Sequence, residues 1–143
     1  MDKLLRYLSI ARKAGLLALG EEDTGAAVRA GKAKVVFLAS DASDNALQRS
    51  QGFVRGRAVP LVRIGLKKEE ISAATGKGGC SMAAVTDIGL ADSMLSVLAE
   101  ADPQRYGEAA AQLAARQDKA AKRRSEARAH EKNKKIGKRR TVI

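Results

Sequence analysis

One cysteine, one histidine, two prolines, two phenylalanines, two tyrosines and no tryptophan occur in 143 residues. A lone cysteine excludes a disulfide framework, and one Cys with one His excludes a multi-ligand zinc site. This usage fits a reducing cytoplasm. The histidine, His130, sits in the C-terminal extension, so residues 1–102 hold no imidazole base. Cys80 has no histidine near it in sequence, and a single Cys at a strand start reads as a small core residue rather than a nucleophile. No two carboxylates are spaced for acid–base work. Long apolar runs are missing too: nothing approaches the ~20 residues needed to cross a bilayer. The N-terminal "MDKLLRYLSIARKAGLLALG" lacks a signal core and a small-residue cleavage site. The expectations are a soluble cytoplasmic chain, no membrane partner, no cofactor and no enzymatic activity.

One glycine-rich stretch, "TGKGGCS" at 75–81, invites comparison with a phosphate-binding loop. The spacing G-x-x-x-x-G-K-[ST] fails twice, because Ile71 and Gly78 stand where Gly and Ser/Thr are needed. "GKGG" therefore reads as a tight helix-to-strand turn, with contact of its amides and Lys77 to RNA as the alternative.

What the chain has in plenty is positive charge. The formal balance is +11 with a sequence pI near 10.2, which points to a polyanionic partner, nucleic acid before an anionic membrane. The charge is uneven: residues 1–102 hold 14 Lys and Arg against 12 Asp and Glu, while residues 103–143 hold 13 against 4. A near-neutral domain, 1–102, is thus followed by a basic extension, 103–143.

The 45% apolar content must build its core from aliphatic side chains. Leu4, Leu5, Leu8 and Ala11 repeat at helical spacing before Gly15. After a short link, Leu16 to Leu19, a second helix runs from about Glu21 to Ala30 and stops at Gly31. "VVFLA" at 35–39 is a continuous β-branched run suited to a strand covered on both faces. A helix start at Ser43 or Asp44, a strand in 58–65, a short helix over "KKEEISAAT", a strand in 80–87 and a helix over "IGLADSMLSVLAEA" follow. Alternating helix and strand predicts a three-layer α/β/α sandwich on a small mixed, mostly parallel sheet. Asp102-Pro103 is a good helix start. Beyond it the extension has helix-forming composition but no apolar stripe to dock it, which predicts a free helix to about Glu131 and disorder thereafter.

Glu21, Glu22 and Asp23 are the anomaly in so basic a chain. A helix N-terminus is partly positive, and acids in its first turn stabilise it by ~0.3–1 kcal/mol each. That alone accounts for all three. The alternative is base recognition, since carboxylates accept hydrogen bonds from base amino and imino groups while cations hold phosphates. Arg29, Lys32 and Lys34 are candidates for the phosphate half, although "RAGKAK" also reads as a solvated helix end.

"SIARKAGLLALGEEDTGAAVRAGKAKVVFLASDAS", "VPLVRIGLKKEEISAATGK" and "AAVTD", kept in order and spacing over about residues 3–100, together resemble the kink-turn RNA-binding superfamily of ribosomal proteins L-seven-Ae and L-thirty-e, in particular bacterial YlxQ-like members. The resemblance implies an α/β/α sandwich and RNA as partner. It also implies a reading position at the second helix start, where the family shows G-x-N-E-x-x-K. That Gly matches Gly20, the Asn falls on Glu22, the Glu on Asp23, and the Lys on Ala26. The family's second contact, a loop whose small residues cover a flipped-out nucleotide, maps onto Gly78, Gly79, Cys80 and Ser81 beside Lys77. The departures at Glu22 and Ala26 remove an amide and a cation, at ~1–3 kcal/mol per good base contact.

Residues and resemblance together predict a non-enzymatic RNA-binding protein, ribosome-associated or a ribosomal-protein homologue, monomeric off RNA. Its RNA face is expected at Gly20, Glu22, Asp23 and 77–81, with Arg29, Lys32 and Lys34 as candidate phosphate contacts. Beyond Tyr106 the basic extension has no aromatic residue, so it would add phosphate contacts without sequence preference. Two rival readings are a protein–protein adaptor in ribosome assembly, whose acidic helix start meets a basic partner, and a substrate-binding module of an RNA-modifying enzyme.

Overall fold

Two runs of four fully buried residues, Val35–Leu38 and Met82–Val85, lie side by side at the centre of the protein. In this computed structural model the backbone is described for residues 2–141. The side chains at 120, 121 and 130–141, including His130 and the cluster at 132–140, lie outside the described set. The elements in chain order are α1 (Asp2–Lys13), β1 (Leu17–Leu19), α2 (Glu21–Arg29), β2 (Val35–Leu38) and α3 (Asp44–Val54). Then come β3 (Leu61–Arg63), α4 (Lys68–Thr75), β4 (Met82–Val85), α5 (Ile88–Ala101) and α6 (Pro103–Thr141).

The sheet order is β1-β4-β2-β3. Side chains alternate across it: Val35, Phe37, Ala83 and Val85 enter a large cluster with α1, α4 and α5. Val36 and Ala84 pack under α2, and Leu38 and Met82 meet Ala46 of α3. This is the predicted three-layer sandwich on a mixed sheet. Strand direction differs from expectation, because only β2–β3 is parallel, whereas β4 is antiparallel to both β1 and β2. A continuous apolar run reports burial of both faces but carries no information on direction. The connections set direction, and the link from Leu16 to Leu19 proves to be an edge strand rather than a loop.

Local signals place the helices. Leu4, Leu8 and Ala11 bury one stripe of α1, each leucine contributing ~1.5–3 kcal/mol. The Ser43 hydroxyl accepts the Ala46 N–H at 3.1 Å to start α3, which runs on through Gly52. The Asp87 carboxylate accepts the Leu90 N–H at 2.8 Å to start α5. Between β1 and α2 the backbone of Gly20 adopts φ 87 and ψ 169. A Cβ is essentially excluded from that region, so the glycine is required there for conformational reasons.

The extension does not begin as a free helix. Tyr106 and Leu113, about one and three turns into α6, are 4% and 0% exposed and belong to the main core cluster. The Tyr106 hydroxyl donates to the carbonyl of Arg63 at 3.1 Å, and the Arg105 guanidinium donates to the same oxygen at 3.0 Å. These bonds tie α6 to the edge strand β3. Two large side chains seven residues apart suffice to dock it, aided by Ala109 and Ala110. The helix continues to Thr141, past the predicted end near Glu131.

Leu113→Ala is therefore expected to lower stability by about 2–5 kcal/mol, the usual cost of emptying a fully buried leucine site, in urea denaturation followed by circular dichroism. Gly20→Ala is expected to cost about 1–3 kcal/mol by the same measurement, through backbone strain alone, since the added Cβ would meet only ordinary contacts, Cys80 Sγ at 3.8 Å and Lys77 Nζ at 4.0 Å.

Candidate nucleic-acid interface

β1 and β4 pair in antiparallel register with Leu19 opposite Ala83, so the end of β1 and the loop before β4 emerge at one pole of the sheet. The Gly20 N–H donates to Met82 O at 3.0 Å and fixes the start of α2 against that loop. Gly20 has no side chain to cap the helix, and Thr24 N–H makes the first intrahelical bond, to Gly20 O at 2.9 Å. The amides of Glu21, Glu22 and Asp23 thus point out of the helix end, where their dipoles add to a positive potential.

The three acids stand in that potential, and the structure divides them. Glu21 pairs with Arg49 of α3, and Asp23 pairs with Lys77 at 3.7 Å. Lys77 Nζ also donates to Leu19 O at 3.2 Å, which holds the ammonium group beside the helix start. Glu22 is exposed, and among the described residues its carboxylate has no ion-pair partner. Both pairs are solvent-exposed, so each contributes at most ~1 kcal/mol and yields readily to a better ligand.

Across from the helix end lies the 76–81 loop. Gly76 ends α4 in a left-handed conformation, its N–H bonded to Ser72 O at 2.8 Å. Lys77, Gly78 and Gly79 are exposed, and Ser81 is half-buried with its carbonyl accepting the Ala39 N–H at 2.8 Å. Cys80 departs from the sequence-based grouping. Its side chain is buried in the main core, with Sγ 3.8 Å from where a Cβ on Gly20 would stand. It forms the floor beneath Gly20 rather than a contact surface, because an apolar thiol at the head of a central strand packs inward. What stays exposed at this pole is the first turn of α2, Lys77, and the bare backbone of Gly78 and Gly79.

Arg29, Lys32 and Lys34 are not part of it. They lie at and beyond the other end of α2, about 13 Å away along nine helical residues. Arg29 rests over the Phe53 ring at 6.0 Å from its centroid, and Lys34 N–H donates to Val85 O at 2.7 Å, at the far end of β4. Conversely, Arg49 was not among the candidates. Its partner is 28 residues away in sequence, a relation that only the packing of α3 against α2 creates. Arg116, Lys119 and Arg123 gather beside Lys34, and their helical spacing was the available signal. Among the described residues no three His, Cys, Asp or Glu side chains are grouped to hold a metal ion. None of the described helices is long and apolar enough to cross a membrane.

Comparison with known proteins agrees with this architecture. The chain is 36% identical over 76 residues to the RNA-binding protein YlxQ of Enterococcus faecium, a match covering 53% of this chain and 73% of that protein. Among solved structures it is similar to a protein of unknown function from Bacillus halodurans, with TM-score 0.62 and 26% identity over 67% of this chain and 96% of that one. The 15.5 kD RNA-binding protein of Giardia lamblia shares the fold, with TM-score 0.54 and 21% identity over 71% of this chain and 83% of the other. Residues 2–95 match the Ribosomal protein L7Ae/L30e/S12e/Gadd45 family, and the chain belongs to that family.

Proposed function

We propose that the protein is a non-catalytic RNA-binding protein of the cytoplasm, associated with the ribosome or with structured RNA of the kink-turn kind. The pole formed by α2 and the 76–81 loop would be its reading face. The observation that carries this reading is the juxtaposition, in a chain of this family, of the uncapped α2 N-terminus with Lys77 and a glycine backbone. The face supplies three kinds of group. Amides at the helix end donate to phosphate or base oxygens, and the Glu22 carboxylate accepts from amino or imino groups on a base edge. The Lys77 ammonium stands ready for a guanine O6 or N7, or for a phosphate. Lys77 brings to this face the cation that Ala26 does not provide. Exposed Gly78 and Gly79 allow a nucleotide to approach the backbone without meeting a side chain.

The acids then have two roles. Glu21 and Asp23 stabilise the helix start and position Arg49 and Lys77, while Glu22 faces the ligand. YlxQ of Enterococcus faecium is named for RNA binding, which supports the same role here.

The test is a titration of the full chain against a kink-turn RNA and a straight duplex of equal length, at low and moderate salt. The expected result is preference for the kink-turn. Glu22→Ala and Lys77→Ala should each weaken kink-turn binding by about 1–3 kcal/mol while leaving duplex binding unchanged. Equal affinity for both RNAs, untouched by either substitution, would overturn the reading face. An adaptor role, with Glu22 meeting a basic protein partner, would then account better for the acids.

A further inference from the structure

The opposite pole of the sheet carries a second charged feature that the reading face does not use. There β2 and β3 begin and β4 ends, and α6 passes close by: the Arg116 guanidinium donates to Ala58 O at 2.7 Å. Between α6 and the sheet end lies a groove of about 360 Å³ lined by Lys34, Ala58, Ile88, Arg116, Lys119 and Arg123. Four of these six residues are cations and none is acidic. At the α2 pole, by contrast, Arg49 and Lys77 are both matched by carboxylates.

The arrangement suits a linear polyanion. Arg116, Lys119 and Arg123 stand at positions i, i+3 and i+7 of α6, one helical stripe about 10 Å long, and Lys34 faces it from the β2 start. Arg116 is held in place through one nitrogen, which leaves the rest of a five-donor guanidinium for a ligand. Exposed Arg29 and Lys32 stand at the same pole. Ala58 and Ile88 give little apolar surface, too little to seat a lipid tail or an amphipathic helix.

We propose that this groove grips the phosphate backbone of an RNA segment different from the one met by the α2 pole, without reading its sequence, so that a single copy bridges two RNA segments. About 13 Å of α2 separates the two sites, and they lie at opposite ends of β4. The proposal rests on the RNA-binding reading above and adds to it a second site and a bridging geometry.

The test compares two full-length variants of equal charge. One carries Lys34→Gln, Lys119→Gln and Arg123→Gln in the groove. The other carries Lys122→Gln, Arg124→Gln and Arg128→Gln, exposed positions of the same helix that do not line the groove, and Arg116 is kept in both. Duplex RNA affinity is measured against salt concentration, where each phosphate contact contributes ~0.9 to the logarithmic slope. The groove variant should lose about 2–3 from that slope, and the off-groove variant should lose less. In a mixture of donor-labelled kink-turn RNA and acceptor-labelled duplex, the wild-type chain should give energy transfer and the groove variant none. The groove variant should still prefer the kink-turn.

Equal loss in the two variants would overturn the groove, since charge anywhere on the helix would then suffice. Displacement of one RNA by the other, without energy transfer, would overturn bridging. Preference of the wild-type chain for phosphatidylserine vesicles over duplex would overturn RNA as the ligand of the groove. Each of these outcomes leaves kink-turn binding at the α2 pole intact. Failure of the wild-type chain to bind either RNA would overturn the functional reading and this proposal together.

Discussion

The central position of β4 is the constraint on which the rest depends. Met82, Ala83, Ala84 and Val85 are all buried, and the strand pairs with β1 on one side and β2 on the other. Two alanines at its middle let helices approach from both faces, α5 on one and α2 on the other. A bulky side chain there would push a layer away, since a filled interior has no room for it. The ends of β4 then define the two poles. Its first residue follows the 76–81 loop and meets Gly20, while its last residue accepts the Lys34 N–H and leads into α5. Both charged surfaces are consequences of where this one strand begins and ends.

The poles differ in electrostatic design. At the α2 end, acids sit in a helix dipole and hold nearby cations by exposed ion pairs, so the surface is almost neutral but rich in directed donors and acceptors. Such a surface discriminates between ligands by geometry more than it attracts them. At the far end, Lys34, Arg116, Lys119 and Arg123 have no ion-pair partner among the described residues, and unpaired cations in general attract phosphate at long range and discriminate little. Arg57 shows the same logic on a small scale: its guanidinium donates to Val28 O at 2.9 Å, where the last carbonyls of α2 concentrate negative charge.

Much of this was legible in the sequence. The expected strands over 35–39 and 80–87 contain the observed β2 and β4, the spacing of Leu4, Leu5, Leu8 and Ala11 announced α1, of which Leu4, Leu8 and Ala11 are buried, and Gly20 marked the start of α2. β1 was not legible, because three residues are too few to display a period. The antiparallel setting of β4 was equally hidden, since burial on both faces looks the same for either direction. Cys80 was assigned to the ligand face by its loop, yet its thiol turns into the core. The pole occupied by Arg29, Lys32 and Lys34 could be known only once α2 was seen to run the length of the sheet. Proximity in sequence to Glu22 was misleading by a whole helix.

Docking of α6 shows why a boundary drawn from charge alone is incomplete. The change at residue 103 is real in composition, but the core extends ten residues past it, to Leu113. Those residues matter to the far pole as well as to stability. Leu113 and Tyr106 fix the axis of α6, and Arg116 follows less than one turn after Leu113. The groove therefore exists only because an apolar anchor precedes the basic stripe. Were α6 free from residue 103 onward, the same cations would be spread over a mobile arm and Lys34 would stand alone. Binding phosphate with a preset stripe loses less side-chain and backbone entropy than ordering a free arm on contact. Hydrophobic anchoring in the first turns of the extension thus gives the net charge a fixed position, and that position is the end of the sheet remote from the start of α2.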